Sequence, residues 1–345
     1  MTRSGYIVKW LLLGILPLLT AVGLPAYSAD GDTLSQVKSR GTLRCGVSEG
    51  VAGFSAKDAS GRWSGIDADF CRALAAAALG NADMVTFVPL KGSARFPALR
   101  TGVVDLLSRN TTWTLVREST LGVQFAGVLF YDGQAFMVPK QRGANAVAAL
   151  DGATVCVEKG TSSEIHLADY FAARHLSVKP LVVDSASEVA NAYFAGRCSA
   201  YTGDASALAA ARLRAPGGAQ AYTILPEQTS KEPLGPVVRD DDAHWLTLVR
   251  WVFFSLIAAE EANVTRENVG ERMRDPVVAR AFDAGDDVSK AIGVEPGWAV
   301  RAVQSVGNYG QIFDRNLGPG SPLNLERGLN RLWTQGGLMY APPMR

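Results

Sequence analysis

Val103-Val104-Asp105-Leu106-Leu107, followed by Ser108-Arg109-Asn110-Thr111-Thr112-Trp113-Thr114-Leu115-Val116-Arg117, is the stretch on which the fold turns. The apolar run reads as a short buried strand. It gives way to three short polar side chains, Asn110, Thr111 and Thr112, then Trp113, and Thr114 opens a helical turn that carries Arg117. In an α/β sheet the carboxyl end of a strand is where ligands bind. Hydroxyls, an amide and one guanidinium, with only Glu118 as a nearby acid, suit a small anion such as a carboxylate held by a forked Arg contact. These residues alone leave that reading open against a polar loop with a surface Arg.

Outward from this stretch, 345 residues with 48% hydrophobic and 19% charged side chains are globular in composition and long enough for two cores. Net charge is +1 and no run of like charges stands out, which argues against nucleic acid or an anionic membrane as partner. The start of the chain differs. Arg3 and Lys9 precede the apolar core Trp10 to Leu19, and small residues follow in Ala26-Tyr27-Ser28-Ala29. This is the pattern of a secretory signal peptide over 1–29, cleaved after Ser28 or Ala29, and the core is short for a membrane span. No Cys follows it to carry a lipid, so the mature chain is expected to be exported and soluble.

Four cysteines suit an oxidising compartment, and their positions pair Cys45 with Cys71 and Cys156 with Cys198, one bridge per half. No CxxC or His-rich spacing points to a metal, and His166, His175 and His244 read as surface or packing residues.

Both halves follow one plan: strand, helix, strand, helix, strand, polar tip. In the first half it runs through Thr42–Val47, the helix opened by Asp67-Ala68-Asp69 and ended by Gly80, Val85–Leu90, Ala94–Thr101 and Val103–Leu107. In the second it runs through Ala153–Val157, a helix entered by Gly160-Thr161-Ser162-Ser163-Glu164, Val178–Val183, Ser187–Ala195, and Cys198–Tyr201 ending in Thr202-Gly203-Asp204. Thr161 with Glu164 suggests a capping box. Such alternation predicts parallel sheets with helical layers, their carboxyl-end tips facing each other. Gln134–Pro139 and Pro233–Arg239 read as strands passing between the halves. Asp242–Ala262 reads as an apolar helix broken as a membrane span by Arg250, Glu260 and Glu261, and Ser321 as a cap for a helix over Leu323–Trp333.

There is no GxSxG, HExxH, Walker A or GxGxxG motif, and Ser35-Gln36-Val37-Lys38 matches SxxK without its partner motifs. The tips supply no nucleophile–base pair. They supply charge matching for a zwitterion: Arg117 on one side, Asp204 on the other, and a Ser/Thr-rich helix start whose N–H groups favour an anion. Asp204 also suits a plain helix N-cap.

Many separate pieces, in order, carry a resemblance. They include Arg40-Gly41-Thr42-Leu43-Arg44-Cys45-Gly46-Val47, Gly65-Ile66-Asp67-Ala68-Asp69-Phe70-Cys71-Arg72-Ala73, Ser108-Arg109-Asn110-Thr111-Thr112-Trp113-Thr114 and Gly196-Arg197-Cys198-Ser199-Ala200-Tyr201. Later come Lys231-Glu232-Pro233-Leu234-Gly235-Pro236, Val306-Gly307-Asn308-Tyr309-Gly310 and Gly337-Leu338-Met339-Tyr340-Ala341-Pro342-Pro343. Over about Leu34 to Arg345 the chain resembles the periplasmic amino-acid-binding proteins of ABC importers (solute-binding protein family 3), most of all their general L-amino-acid-binding branch.

The resemblance implies a type II periplasmic-binding-protein fold, α/β, with two lobes of mainly parallel sheet and a two-strand hinge. Lobe 1 would hold 31–134 plus 238–345 and lobe 2 138–234, with the hinge near 135–140 and 232–238. It implies that Arg117 and the Thr161–Ser162 helix start hold an α-carboxylate. Asp204, with the Thr112 hydroxyl and the Asn110 carbonyl, would take the α-ammonium, and Phe54 would border the ligand side chain. Lys91-Gly92-Ser93-Ala94-Arg95 departs from the branch's usual letters on that side of the pocket. The implied role is to bind L-amino acids of broad or polar type, with no cofactor, as a monomer that docks on a membrane permease. An exported enzyme on the same fold, such as a dehydratase of cyclic hydroxy acids, and a ligand-sensing component are the alternatives. The first needs an acid or base in the cleft beyond Asp204.

Overall fold

The structure, a computed structural model, describes residues 1–2, 32–282 and 285–344. The expected signal segment lies almost wholly outside the described residues. Among them no helix is long and apolar enough to cross a membrane.

Two sheets organise the chain. The first has the order Val85–Pro89, Leu43–Val47, Leu106–Leu107, Val237–Arg239, Val123–Phe125. Its first three strands are parallel, with Cys45 opposite both Phe87 and Leu106. The second has the order Tyr222–Ile224, Phe130–Pro139, Ala200–Asp204, Ala153–Glu158, Val178–Val183, and the last three are parallel. The other strands run antiparallel to their neighbours, so both sheets are mixed rather than mainly parallel. The reason is that strands passing between the sheets enter each one against the direction of its βαβ core.

The passage itself is a two-stranded ladder, Gly133 opposite Lys231 through Phe130 opposite Leu234. From Gln134 onward the long strand already pairs with Ala200–Asp204. The crossing therefore sits at 130–133 and 231–234, several residues earlier on its first strand than the 135–140 expected. Unbroken β-patterning across 130–139 hides the point where the strand changes sheet.

Helix Ile66–Leu79 is buried along nearly its whole length, because Ala75–Ala78 leave little side chain between it and helix Trp298–Val306. The Cys45–Cys71 disulfide ties this helix to its sheet, and Cys156–Cys198 does the same service between strand and turn in the second unit. Helix Ala243–Glu261 buries Trp245, Leu248, Val252 and Leu256 in the first core, and Trp245 Nε1 donates to Asp105 O at 3.0 Å.

The helix expected over Leu323–Trp333 is absent. Asn324 and Gly328 take positive φ (44° and 49°), and Leu325 N donates back to Leu317 O at 2.7 Å. Asn330 instead clamps the crossing strand: Tyr131 N donates to its Oδ1 at 2.7 Å and its Nδ2 donates to Tyr131 O at 3.1 Å. Tertiary hydrogen bonds thus outweigh a weak helical pattern that contains two Asn and a Gly.

Candidate functional site: a charged cavity between the sheets

The stretch from Ser108 is held by a buried acid. Asp67, in the first turn of helix Ile66–Leu79, accepts from Ser108 Oγ at 2.8 Å and Asn110 N at 3.0 Å. Burial pushes its carboxyl up to about 6, against the opposing pull of those two bonds and of Arg109. Asn110 takes a positive φ of 37°, a conformation Asn tolerates better than most residues. Beyond it the backbone is zipped to the crossing strand: Gly235 N donates to Thr111 O at 2.9 Å and Trp113 N to Pro233 O at 2.8 Å. Thr114 then caps helix Leu115–Thr120, accepting from Arg117 N at 3.2 Å.

Opposite lies the second unit. Thr161 caps helix Ser162–Ala172, accepting from Glu164 N at 3.3 Å. The return bond of Glu164 goes to Gly160 N at 2.7 Å, one residue before the capping-box position. Gly160 is required there, since its φ is 75° and a Cβ would meet Ser93 Cα at 2.9 Å. The first-turn N–H groups of the helix have no intrahelical partner and face the same space.

Residues of both units line one cavity of about 40 Å³: Arg95, Arg109, Asn110 and Thr112 from the first, Glu158, Thr161, Ser162 and Asp204 from the second. The walls touch. Arg109 Nη2 lies 3.1 Å from Glu158 Oε1, Arg95 Nη2 donates to Gly160 O at 3.2 Å, and Asn110 Nδ2 donates to Asp204 Oδ2 at 3.3 Å. A larger recess of about 730 Å³, between Phe254, Trp333 and Pro342, is mostly apolar and has none of the buried unpaired charge that marks this cavity.

The unpaired groups define what the cavity can hold. Arg109 is neutralised by Glu158. Arg95 is 2% exposed, its Nε is buried without a partner, and among the described residues no carboxylate lies within 4 Å of it. Burial holds its guanidinium well below the usual arginine range, and Arg109 and Arg117 add to this. Arg117 is also buried; its Nη1 donates to Thr112 O at 2.7 Å and its guanidinium lies over the Phe96 ring. It stands just behind the residues that line the cavity.

Asp204 ends its strand at a helix start but makes no side-chain cap bond, which decides between a plain cap and a cavity group. Burial raises its carboxyl well above the usual range, with Asp132 and Glu232 adding repulsion and Asn110 and Arg95 relieving it. Asn110 Oδ1 is buried with no donor facing it. The cavity therefore offers unmatched cationic donors on one side and unmatched acceptors on the other.

One expected site residue stands elsewhere, and another turns its hydroxyl away. Phe54 is 1% exposed and packs edge-on against Phe130 with centroids 5.4 Å apart, in the first core rather than at the cavity wall. The resemblance implied a ligand contact for Phe54, but Gly65 lets the helix start close over the Phe54 backbone, where a Cβ would lie 2.1 Å from Phe54 O. The Ser162 hydroxyl donates to Glu232, at 2.7 Å, while the residue lines the cavity. His166, expected as a surface residue, places Nδ1 3.1 Å from Glu232 Oε1. Sequence reasoning missed Arg109 and Glu158 in the lining and Glu232 behind it, and placed Arg95 only as part of a segment on the pocket side. The only signal for them was charge inside otherwise apolar or Gly-rich segments. Among the described residues no cluster of His, Cys, Asp and Glu is suited to a metal ion.

Residues 43–269 match the model of the bacterial extracellular solute-binding proteins, family 3. The chain is 46% identical to the general L-amino acid-binding periplasmic protein AapJ of Rhizobium johnstonii, over 98% of this chain and 99% of that one. It is also 46% identical to the glutamate/glutamine/aspartate/asparagine-binding protein BztA of Rhodobacter capsulatus, over 93% of this chain and 96% of that one. In structure it is similar to an ABC transporter periplasmic binding protein from Brucella ovis with glutathione bound, at a TM-score of 0.88 and 45% identity over 91% of this chain and 99% of that one. A family match across most of the two-sheet body, joined to relatives similar along nearly their whole length, shows that the chain belongs to family 3 of the bacterial extracellular solute-binding proteins.

Proposed function

We propose that the protein is an exported receptor that binds L-amino acids with polar or acidic side chains and hands them to the permease of an ABC importer. The observation that carries the reading is the charge balance of the cavity. Among the described residues of the lining, one buried guanidinium, Arg95, has no carboxylate within 4 Å and one buried carboxylate, Asp204, has no cation within that distance; just behind it stand a second guanidinium, Arg117, and a second carboxylate, Glu232, each likewise without an ion-pair partner of Lys, Arg, Asp or Glu. An amino acid with a polar or acidic side chain supplies the complement: a carboxylate for Arg117, an ammonium for Asp204 and a side-chain acceptor for Arg95. The α-carboxylate is assigned to Arg117 and the N–H groups at the start of helix Ser162–Ala172. The ammonium is assigned to Asp204 with Asn110 and Thr112. The side chain then extends toward Arg95, the residue that ends the segment departing from the branch's usual pattern.

The names of the relatives, one a general L-amino-acid receptor and one a receptor for the acidic amino acids and their amides, support the same class. Two disulfides fit an oxidising compartment outside the cytoplasm. With walls touching around about 40 Å³, an amino acid enters only when the units part, and the ladder at 130–133 and 231–234 is the place for that hinge. Closure over the ligand excludes water and strengthens the charge-assisted contacts. Calorimetric titration of the mature protein with L-glutamate, L-glutamine, L-alanine and L-lysine tests this. Glutamate is expected to bind most tightly and lysine least, and heat from none of them refutes the assignment.

A further inference from the structure

Behind the cavity wall lies a carboxylate that the binding reading does not use. Glu232 is fully buried on the crossing strand, opposite Asp132, and does not line the cavity. Its Oε2 accepts from Thr112 Oγ1 at 2.5 Å and from Ser162 Oγ at 2.7 Å. Its Oε1 accepts from Ser230 Oγ at 2.5 Å and faces His166 Nδ1 at 3.1 Å. Among the described residues no Lys or Arg pairs with it. Thr112 comes from the first unit and Ser162 from the second, so one side chain orders both walls.

Each hydroxyl carries one proton, and an ionised carboxylate only accepts. Both hydroxyls lie within donating distance of the same Oε2, and their oxygens are 3.0 Å apart; with both protons on the carboxylate, none remains for the space between them. Two such oxygens present lone pairs only and repel until a third group donates to them. They line the same cavity as Asp204 and the unpartnered Oδ1 of Asn110.

We propose that Glu232 is a positioning residue: it fixes the hydroxyls of Thr112 and Ser162 as acceptors and so makes the cavity demand a protonated α-amine on its ligand. This rests on the amino-acid reading above. It assigns discrimination between an α-amino acid and the matching α-hydroxy acid to a residue that touches neither.

The test is Glu232→Gln, whose amide presents a donor where the carboxylate had only acceptors, so one hydroxyl turns its proton toward the ligand. Titration with L-glutamate and with 2-hydroxyglutarate measures the effect, with the melting temperature of each ligand-free variant checking the fold. Glutamate affinity is expected to fall roughly tenfold, the size of one hydrogen bond to a charged group, while that for the hydroxy acid changes by less than about threefold. In a Thr112→Val, Ser162→Ala background the same change is expected to add less than about twofold, because the groups it works through are gone. Equal losses for both ligands, or a full tenfold loss in the hydroxyl-free background, overturn the proposal. If the unaltered protein binds no amino acid, the reading beneath it falls first and this one with it.

Discussion

Asp204→Asn separates a ligand group from a structural acid, because the account gives it two effects of opposite sign. In the ligand-free protein the Asp204 carboxyl is raised well above its usual range by burial and by Asp132 and Glu232. Each unit of such a shift costs about 1.4 kcal/mol at a pH where the group must ionise. An amide of the same shape removes that cost and still accepts from Asn110 Nδ2, now at 3.3 Å from Oδ2. The ligand-free variant is therefore expected to melt higher than the parent at neutral pH.

With ligand the sign reverses. Losing a buried carboxylate–ammonium contact typically costs about 2–5 kcal/mol, and the low end is about 30-fold in affinity. At a ligand concentration near 100 times the parent's Kd, binding stabilises the parent by about 2.7 kcal/mol. A 100-fold weaker variant at that concentration keeps only about 0.4 kcal/mol by the same relation. Thermal melts of both proteins with and without L-glutamate, together with titration calorimetry, give all four quantities. A variant that melts lower without ligand and binds glutamate as tightly as the parent would refute the reasoning, since Asp204 would then be a structural acid.

Three further outcomes are expected. Arg95→Gln should weaken L-glutamate by about tenfold or more and L-alanine by less than about threefold in calorimetry, as the side-chain assignment requires. Asp67 and Asp132 each have a carboxyl raised to about 6, so the folded protein binds more protons than the unfolded chain between roughly pH 4 and 6. Stability should therefore rise as pH falls through 6, by about 2 kcal/mol between pH 7.5 and 5.5 for the two groups together, read from denaturant melts of the ligand-free protein. Replacing Cys156 and Cys198 by Ser opens a bridge spanning 42 residues and should cost about 4 kcal/mol in the same melts by loop entropy, against about 3.5 for the 26-residue Cys45–Cys71 span.

Much of this was legible in the sequence, for identifiable reasons. The alternation of apolar runs with Gly-ended helices gave both βαβ units, because period and caps are local properties. One cysteine per matching strand gave both disulfides. The place of Asp204, at the end of a strand and the start of a helix, was legible, though only the structure shows that its side chain declines to cap. What escaped depends on contacts between distant segments. Glu232 reads as one charge in Lys231-Glu232-Pro233, and nothing local says that Thr112, Ser162 and His166 converge on it. Arg95 falls in the segment that the resemblance sets on the pocket side, but nothing local shows that it is buried there without a carboxylate partner. Phe54, set beside the ligand side chain by the resemblance, is instead core, with Gly65 packed close against its backbone. The crossing point was not legible because the ten residues Phe130–Pro139 form one continuous strand that pairs first with Lys231–Leu234 and then with Ala200–Asp204.

The central claim is that the cavity closes on a zwitterion clamped between Arg117 and Asp204. The most direct measurement is titration calorimetry of L-glutamate against the parent, Arg117→Ala and Asp204→Asn, with all three shown to be folded. The account predicts measurable binding by the parent and a loss of at least about 30-fold in each variant. Full affinity retained in either variant would contradict it.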